Sequence, residues 1–408
     1  MSNTLRPRDA KDVAAAVEWA LAESKTLEIV GQGSKRAIGR AAQWDLTLDL
    51  SDLSGVTLYE PDELVLSAKA GTPLAEIEAL IAEKGQQLAF EPMDYGPVLG
   101  RSAGHGTLGG ALATNLSGPR RIKAGAARDH FLGVTAVSGR GETFRSGGRV
   151  VKNVTGYDLC KVLAGSWGTL AAMTEVTVKV LPRAETEETL LVLGLDDVAA
   201  ATAMASALGS SDDVSGAAHL PAYAAARVMR DATGGKAVTA MRLEGIAVSI
   251  AQRKRTLEAL LKPFGPLLVI GEAASRALWR AVRDVLPLVA QDERAPRPLW
   301  RISTAPTKGP DIVAQIAARA QAEWLYDWGG GLVWISLNPR DDAGARLVRR
   351  AVGTHGGHAT LVRAPPATRA AVDVFGPQDR ALAALTRRVK ESFDPKGVLG
   401  AGRMWAGI

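Results

Sequence analysis

The sequence predicts an α+β fold, and three observations support this prediction. Short apolar or alternating segments, such as Leu27–Val30 and residues 46–50, predict strands, whereas a helical apolar stripe predicts a helix over residues 7–22. Gly and Pro are dense between residues 91 and 118, which predicts a long loop region around one short helix. After Pro182 helices and strands alternate in a new pattern, which predicts an antiparallel sheet with helices on one face.

The order of the predicted elements divides the chain into three parts. Before residue 185, further strands are predicted at residues 64–68, 131–138, 142–144 and 176–181, and helices at 72–84, 109–115 and 159–163. After it, helices are predicted at 192–207, 248–261, 276–285, 312–322, 343–352 and 378–393, and strands at 237–243, 299–303, 332–337 and 359–362. We expect domains at residues 1–185 and 186–385, and a C-terminal segment at 386–408 that returns to the first domain.

Composition limits the classes of function. The net charge of +6 is mild for 408 residues, so it favours anionic small molecules or acidic partners and does not resemble a nucleic-acid-binding surface. The single cysteine, Cys160, cannot form an intramolecular disulfide or hold an iron–sulfur cluster, which needs about four thiolates. No apolar segment is long enough to span a bilayer and the N-terminus shows no signal peptide, so we expect a cytoplasmic protein, at most peripheral at the inner face of the membrane.

Two glycine-rich loops are the candidate binding elements. The first, residues 31–35, directly follows a predicted strand, and the second spans residues 104–111. Successive free N–H groups in such loops form a concave anion site that suits the pyrophosphate of a dinucleotide. The first loop lacks the third glycine of a Rossmann fingerprint, and residues 34–44 show no crossover helix, so a Rossmann domain is rejected.

The order of several short motifs adds a family resemblance. The motifs are Val30-Gly31-Gln32-Gly33-Ser34, Leu48-Asp49-Leu50-Ser51, Ala70-Gly71-Thr72-Pro73-Leu74, Gly106-Thr107-Leu108-Gly109-Gly110, Ala113-Thr114-Asn115, residues 152–159, Gly165-Ser166-Trp167-Gly168-Thr169-Leu170 and Thr174-Glu175-Val176-Thr177. In this order they resemble the FAD-binding domain of the p-cresol methylhydroxylase and vanillyl-alcohol oxidase superfamily. The resemblance implies two α+β subdomains that hold FAD, followed by a cap domain with an antiparallel sheet.

The resemblance also implies which residues contact FAD. The pyrophosphate is assigned to Gly31, Gln32, Gly33, Ser34 and Lys35 and to Gly106, Thr107, Leu108, Gly109 and Gly110. The adenosine and flavin sides are assigned to Gly71, Thr72, Pro73, Leu74, Thr114, Asn115, Gly168, Thr169 and Val176. The first loop carries Ser34-Lys35-Arg36 where some relatives attach FAD through a histidine, so non-covalent binding is expected.

Motifs across the whole chain narrow the resemblance to the FAD-binding E subunits of bacterial glycolate oxidase. They include residues 118–121, 299–303, 327–330, 356–360 and 402–404. The family implies oxidation of glycolate, a small 2-hydroxy acid, to glyoxylate beside a homologous catalytic flavin subunit and an iron–sulfur subunit. Relatives tend to have Asn-Pro-Gly-Arg where this chain has Gly400-Ala401-Gly402-Arg403, so a flavin contact from that Asn is not expected here.

The catalytic residues stay open at this point. Arg301 and His358 are candidates for a carboxylate clamp and a base, because the alternative to a carrier subunit is a self-sufficient 2-hydroxy-acid dehydrogenase. The third hypothesis for the function is a non-enzymatic scaffold that has lost FAD. His355 and His358 lack an acidic neighbour, so no metal site is predicted, and His105 is read as a structural hydrogen-bonding residue. Four basic residues are close in sequence, namely Arg120, Arg121, Lys123 and Arg128. They are expected either to bind a partner subunit or a carboxylate substrate, or to lie in a solvated loop.

Overall fold

The protein is described here by a computed structural model, in which residues 3–149, 156–290 and 297–408 are placed. The predicted motif at residues 152–159 therefore lies partly outside the described residues, since Lys152 to Thr155 are not among them. Within the described ranges, helices combine with antiparallel sheets, which confirms the predicted α+β class.

The chain begins with a small parallel sheet. Its strands are β1 (Thr4–Leu5), β2 (Leu27–Val30) and β3 (Leu46–Asp49), in the order β1-β3-β2. Helix α1 (Ala10–Ala22) leads from β1 to β2 and is capped by the side chain of Asp9, as its sequence predicts. The buried residues Val13, Val17 and Ala20 follow helical spacing and share a core with this sheet.

A five-stranded antiparallel sheet forms the second layer of the first part. Its strands are β4 (Val56–Glu60), β5 (Val65–Lys69), β7 (Phe131–Ser138), β8 (Thr143–Gly147) and β9 (Ala171–Lys179), in the order β4-β5-β9-β7-β8, while β6 (Gln86–Gln87) pairs with β10 (Leu181–Pro182). The helices here are α2 (Leu74–Ala82), α3 (Leu108–Thr114), α4 (Arg121–Ala124), α5 (Ala127–His130) and α6 (Leu159–Leu163). Apolar side chains of α2, α3 and α6 cover one face of the sheet.

The remaining strands form an eight-stranded antiparallel sheet. They are β11 (Thr186–Leu193), β12 (Gly216–Leu220), β13 (Val238–Gly245), β14 (Leu267–Ile270), β15 (Leu299–Ser303), β16 (Ala322–Asp327), β17 (Leu332–Leu337) and β18 (His358–Arg363), in the order β14-β11-β13-β12-β16-β17-β15-β18. The accompanying helices are α7 (Asp197–Leu208), α8 (Ala222–Met229), α9 (Ala247–Leu261), α10 (Glu272–Arg283), α11 (Gly309–Ala317), α12 (Ala345–His355), α13 (Pro366–Ala371) and α14 (Arg380–Phe393).

Both faces of the eight-stranded sheet are covered, so the prediction of helices on one face was wrong. Trp300 and Ile302 of β15 face the core formed with α7, α9, α11 and α12. At one end the opposite face packs against α8 and α10. At the other end it meets the first part of the chain, where Leu299 shares a core with Tyr95. Successive side chains of a strand point to opposite faces of the sheet, so those of the central strands pack alternately against the neighbours of the two faces.

Two of the predicted helices had wrong boundaries. Val192 was expected to start a helix, but it lies in β11, which was not predicted, and the helix starts at Asp197 because Asp196 caps it by accepting the N–H of Ala199. The helix predicted to reach residue 322 ends at Ala317, and residue 322 instead begins strand β16. Local pattern was ambiguous at both boundaries, and strand pairing decided the outcome.

A largely buried ring of four charged side chains joins the first part of the chain to the eight-stranded sheet. Glu91 and Arg120 come from the first part, and Arg242 and Glu244 come from β13. Each arginine contacts both glutamates, with N–O distances of 3.2 and 2.7 Å for Arg120 and of 2.9 and 3.4 Å for Arg242. Burial alone would raise the pKa of Glu244, but the guanidiniums of Arg242 and Arg120 outweigh burial and lower this pKa to about 2.

The end of the chain returns to the parallel sheet. The N–H of Leu27 donates to the carbonyl of Val398 at 2.7 Å, and the N–H of Gly400 donates to the carbonyl of Leu27 at 2.9 Å. Lys390 of α14 is buried and donates to the carbonyl of Thr169 at 2.6 Å. The predicted domain boundaries at residues 185 and 385 stay predictions. Among the described helices, none combines the length and the apolar character that crossing a membrane requires.

We expect the substitution Arg242→Met to lower the free energy of unfolding by about 3–5 kcal/mol, because it leaves two buried carboxylates with one guanidinium. Urea denaturation followed by circular dichroism measures this change. Arg319→Met, at an exposed position without an ion pair among the described residues, should change stability by less than about 0.5 kcal/mol. Equal effects of the two substitutions would show that the ring does not hold the sheets together.

Candidate functional site

The first glycine loop borders a cavity, which we call the loop cavity. Of the residues assigned to cofactor binding, those that line it are Gly31, Gln32, Gly33, Ser34, Lys35, Thr107, Gly109, Gly110, Thr114 and Gly168. Gly33 has a φ of +70°, a left-handed conformation that glycine adopts without steric cost. Within the described ranges, the N–H groups of Gln32, Gly33, Ser34 and Lys35 have no protein acceptor. Such a row of free amides is an anion-binding surface.

Close packing explains two of the glycines, Gly31 where the two glycine loops touch and Gly71 beside Leu50. A Cβ atom added to Gly31 would lie 2.6 Å from the Oγ1 of Thr107, and one added to Gly71 would lie 2.1 Å from the carbonyl oxygen of Leu50. Real Cβ atoms do not approach other atoms so closely, so both positions require glycine. Gly71 does not itself line the loop cavity, and contact of either glycine with a cofactor stays a prediction.

Most of the N-terminal amides of helix α3 already donate hydrogen bonds within the protein. The N–H groups of Leu108 and Gly109 donate to the carbonyls of Thr72 and Ala70, at 3.0 and 2.9 Å, and the N–H of Gly110 donates to the Oγ1 of Thr107 at 3.2 Å. These bonds tie the second loop to the segment before α2. We therefore expect the second loop to shape the cavity, and the first loop to offer most of the free N–H groups.

Several residues assigned to cofactor binding line neither the loop cavity nor the second cavity described below. Their contacts support the segments around the loop cavity. Thr72 is fully buried, and its hydroxyl donates to the carbonyl of Lys69 at 2.7 Å. Thr169 donates to the carbonyl of Ser166 at 2.7 Å, and Val176 is buried in the sheet core. Others of this kind are Gly71, Pro73, Leu74, Gly106 and Leu108. Contact of these residues with a cofactor stays a prediction.

Lys35 places a buried cation in the loop cavity. Its side chain is 9% exposed, its Nζ lies 3.1 Å from the Oγ of Ser34, and within the described ranges no carboxylate oxygen lies within 4 Å. Burial is the main cause that lowers the pKa of Lys35 to about 8, and the charge of Asp94 opposes the shift. An ammonium group in this environment is stabilised by an anion in the cavity.

Arg403 is a second cation at the same place, and the sequence analysis missed its role. It is buried, its Nη2 donates to the carbonyl of Lys35 at 3.1 Å, and its Nη1 lies 3.6 Å from Glu28, which also pairs with Arg36. Its Nε lacks a hydrogen-bond partner in the described part of the chain. The sequence analysis includes Arg403 in a family motif and expects the C-terminal segment to return to the first domain, but it assigns Arg403 no contact with the cofactor.

A second cavity lies between the first part of the chain and the eight-stranded sheet, and we call it the sheet cavity. Asn115 lines it, together with Tyr95 and the strand residues Arg301 and His358. Thr114 and Trp167 line both cavities, so the two spaces adjoin. A ligand that extends from the glycine loops past Trp167 reaches the sheet.

Two guanidiniums border the sheet cavity without a carboxylate partner. Arg121 and Arg301 contact the ring of Trp328, at 4.3 and 5.0 Å from its centroid, respectively. Among the described residues, neither has a carboxylate oxygen within 4 Å. Burial is the main cause that lowers the pKa of Arg301 from its usual value. Since a buried cation without a counter-charge is unfavourable, the cavity favours an anionic ligand.

His358 lies beside Arg301 on the adjacent strand. In the pairing of β15 with β18, Ser303 faces His358 and Arg301 faces Thr360, so the side chains of Arg301 and His358 share one face as diagonal neighbours. Burial, together with the charges of Arg301 and Arg121, lowers the pKa of His358 below 6.5. The imidazole is therefore neutral at pH 7 and is able to accept a proton.

The other candidate groups are separated from this constellation. His105 contacts the Oγ of Ser102 at 2.9 Å and lines neither cavity described above, and His355 contacts the Oε1 of Gln315 at 3.0 Å on helix α11. His355 and His358 therefore point to different neighbours. In the ranges that the structure describes, no three His, Cys, Asp or Glu side chains gather as a metal site. Cys160 is buried, and burial raises its pKa to about 11, so its thiol is not activated.

Comparison with known proteins identifies the family. The family described as FAD binding domain matches residues 2–147. Glycolate oxidase subunit GlcE of Escherichia coli (strain K12) is 32% identical over 392 residues, which cover 96% of this chain and 95% of that protein. This chain belongs to the family of glycolate oxidase E subunits. It is a member of the FAD-binding oxidoreductases, as its glycine loops predict.

Two further likenesses are consistent with this family. Glycolate oxidase subunit GlcD of Bacillus subtilis (strain 168) is 34% identical over 136 residues, which cover 33% of this chain and 28% of that protein. The solved structure of 4-ethylphenol oxidase from Gulosibacter chungangensis in complex with isoeugenol aligns with a TM-score of 0.76 and 13% identity, over 99% of this chain and 89% of that chain. The structural likeness shows the fold alone, and it confirms the p-cresol methylhydroxylase type of architecture.

The donor set fits FAD, the cofactor of this family. Four free amides and two buried cations suit a diphosphate, and charge-assisted hydrogen bonds of this kind contribute about 1.5–3 kcal/mol each. The apolar side chains of Trp167 and Tyr95 suit a planar ring in the adjoining sheet cavity. The individual FAD contacts stay predictions, with Lys35 and Arg403 as the phosphate-side cations.

We expect Lys35→Met to raise the Kd for FAD about 10-fold to 100-fold, because a charge-assisted contact to the diphosphate is lost. Titration of the apoprotein with FAD, followed by flavin fluorescence, measures the Kd. Lys84→Met, at an exposed position, is the matched control. An unchanged Kd in Lys35→Met would remove Lys35 from the cofactor site.

The same substitution has the opposite effect on the apoprotein. Burial lowers the folded-state pKa of Lys35 from 10.5 to about 8, so its charged form destabilises the FAD-free fold fully below pH 8, and this penalty is relieved as the pH rises from 8 to 10.5. We therefore expect the apoprotein of Lys35→Met to be at least as stable as the wild type at pH 7, by thermal denaturation. A clear loss of stability at pH 7 would contradict this assignment.

Proposed function

We propose that this chain is the FAD-binding subunit of a multi-subunit glycolate dehydrogenase, in which a small 2-hydroxy acid is oxidised and the electrons pass to an iron–sulfur subunit. The observation that carries the proposal is the unpaired guanidinium of Arg301 in a cavity that adjoins the glycine loops. Its neighbour His358 has a lowered pKa. A carboxylate clamp beside a neutral base is the arrangement that 2-hydroxy-acid oxidation requires.

The chemistry assigns a role to each of these residues. Arg301 binds the substrate carboxylate with paired N–H donors and holds the 2-carbon in one orientation. A ring nitrogen of His358 accepts the hydroxyl proton as the carbonyl of the 2-oxo acid forms. When FAD is bound, it supplies the acceptor for the two electrons and the hydrogen that leave the 2-carbon.

The electrons must leave through another chain. The sequence has one cysteine, and Cys160 is buried, so an iron–sulfur cluster requires ligands from a partner. The names of the relatives GlcE and GlcD describe them as subunits, which supports a complex with a homologous flavin subunit. Non-covalent attachment of FAD is supported by the first glycine loop, which carries Ser34-Lys35-Arg36 where some relatives attach FAD through a histidine.

A second candidate is a dehydrogenase that reduces its flavin without partners. The joint presence of Arg301 and His358 in one cavity favours it, because clamp and base then lie on a single chain. An anaerobic visible spectrum of the FAD-loaded chain with glycolate or D-lactate separates the two candidates. Bleaching in the isolated chain supports the second candidate, whereas bleaching that requires the partner subunits supports the first. An absence of bleaching in the complete complex would overturn both.

We expect Arg301→Met to raise the substrate concentration for half-maximal flavin reduction about 10-fold to 100-fold, because a charge-assisted contact to the carboxylate is lost. Stopped-flow absorbance under anaerobic conditions measures this value. Arg350→Met, at an exposed position of α12, is the control for removal of one arginine. Equal half-saturation values in Arg301→Met and Arg350→Met would remove Arg301 as the clamp.

We expect His358→Gln to slow flavin reduction about 10²-fold to 10⁴-fold, because the general base is lost. In the wild type the rate should fall as the pH drops through the lowered pKa of His358, that is, below pH 6.5, since protonation removes the acceptor. His358→Gln should lack this acid limb. A wild-type rate that stays constant between pH 7 and 5 would contradict the role of His358.

A further inference from the structure

The hydroxyl of Tyr95 differs from those of two other tyrosines that are buried or half-buried. Tyr326 donates to the carboxylate of Asp197 at 2.7 Å, and Tyr223 donates to the carbonyl of Trp324 at 2.8 Å. Tyr95 is only 4% exposed, yet among the described residues its hydroxyl has no hydrogen-bond partner. Because the hydroxyl of a buried tyrosine usually finds a partner, an unpaired one indicates a place for a ligand atom.

Tyr95 borders the sheet cavity next to Arg301. It lines that cavity, and its hydroxyl is not among the unpaired polar atoms that the described residues enclose, so the hydroxyl is accessible from the cavity. Its ring packs edge to face on Trp334, with 6.3 Å between the ring centroids. Trp334 pairs directly with Arg301 across strands β17 and β15, so their side chains are neighbours on one face of the sheet. Tyr95 and Arg301 therefore meet the same part of the cavity, beside Trp334.

The electrostatic environment keeps the phenol of Tyr95 protonated. Burial raises its pKa above the usual value, and the nearby charge of Arg301 opposes this shift only in part. At pH 7 the group is therefore a neutral hydroxyl that is able to donate a hydrogen bond. Since Arg301 also offers only donors, both groups favour the same kind of ligand atom, an oxygen that accepts hydrogen bonds.

Hydrogen bonds fix the backbone on both sides of Tyr95. The carboxylate of Asp94 accepts the N–H groups of Gly96 and Gly104, at 2.9 and 2.6 Å. The N–H of Asp94 in turn donates to the carboxylate of Asp284, at the end of helix α10, at 3.0 Å. The hydroxyl of Tyr95 is thus held in place before a ligand arrives, which lowers the entropic cost of binding.

We propose that Tyr95 is a second substrate-binding residue, whose hydroxyl donates a hydrogen bond to the carboxylate that Arg301 holds. This inference rests on the proposed function, because it concerns the same substrate in the same cavity. A carboxylate has about four acceptor sites, so it accepts from a guanidinium and a hydroxyl at the same time. Two donors on one carboxylate restrict its rotation and fix the orientation of the 2-carbon.

The substitution Tyr95→Phe tests this role, because it removes the hydroxyl and keeps the ring that packs on Trp334. We expect it to raise the glycolate concentration for half-maximal flavin reduction about 10-fold to 100-fold, since a hydrogen bond to a charged group is lost. The limiting rate should change less than about threefold, because the contact is to the carboxylate and not to the reacting atoms. Stopped-flow absorbance under anaerobic conditions, in the complex that supports turnover, measures both values.

Tyr59→Phe is the matched control for removal of one hydroxyl. The hydroxyl of Tyr59 donates to the Oε1 of Gln86 at 2.9 Å, so this substitution should lower thermal stability slightly and leave the half-saturation value unchanged. Tyr95→Phe should show the reverse pattern, with unchanged stability and an unchanged Kd for FAD. In the Arg301→Met background, Tyr95→Phe should have a smaller effect than in the wild type, because the two residues serve one carboxylate.

The possible outcomes separate this inference from the proposed function. An unchanged half-saturation value in Tyr95→Phe, or a raised Kd for FAD in its place, overturns the inference and leaves the proposed function standing. If no 2-hydroxy acid reduces the flavin, the proposed function fails, and the Kd of the FAD-loaded chain for acetate, measured by changes in the flavin spectrum, decides the inference. Weaker binding of acetate in Tyr95→Phe than in the wild type supports it, and equal binding overturns it.

Discussion

The buried ring of Glu91, Arg120, Arg242 and Glu244 fixes the position of the eight-stranded sheet over the first part of the chain. The site depends on this joint, because the glycine loops lie on one side of it, and Arg301 and His358 lie on the other. Alternating charges in the ring compensate each other, so a joint built from four ionisable groups remains compatible with burial. A small rotation of the sheet would move the clamp away from the loops.

Cationic side chains that lack a nearby carboxylate indicate where anionic ligands are expected to bind. Arg403 shares one nearby carboxylate, that of Glu28, with Arg36, whereas neither Lys35 nor Arg301 has a carboxylate oxygen within 4 Å among the described residues. Such charges destabilise the chain when no ligand is present, and this destabilisation is relieved by anions at those positions. We therefore expect FAD and an anionic substrate to contribute to the electrostatic balance of the fold. The C-terminal segment participates in this balance, because it carries Arg403.

Local sequence was sufficient for features that depend on local geometry. The strand that leads into Gly31 and the turn at Gly33 follow from residue type, and so does the cap of helix α1. The cofactor family followed from the order of the glycine motifs. Strand β11 was missed because its apolar residues adjoin an alanine-rich helix, and only pairing with β13 and β14 distinguishes it.

Features that depend on distant contacts could not be predicted. Trp167 separates the two cavities, and Arg403 reaches the carbonyl of Lys35 from the far end of the chain. His355 and His358 are close in sequence, but one ends helix α12 and the other begins strand β18, so they face different neighbours. Strand register, which places Arg301 and His358 on one face, is likewise a property of the assembled sheet.

We expect the loop cavity and the sheet cavity to form one FAD site. A crystal structure of the FAD-loaded chain tests it most directly. We expect a diphosphate within hydrogen-bonding distance of the amides of residues 32–35 and of the Lys35 Nζ, with the flavin ring beyond Trp167 and next to Arg301. A flavin ring bound away from the sheet cavity, or a diphosphate without contact to Lys35, would contradict it.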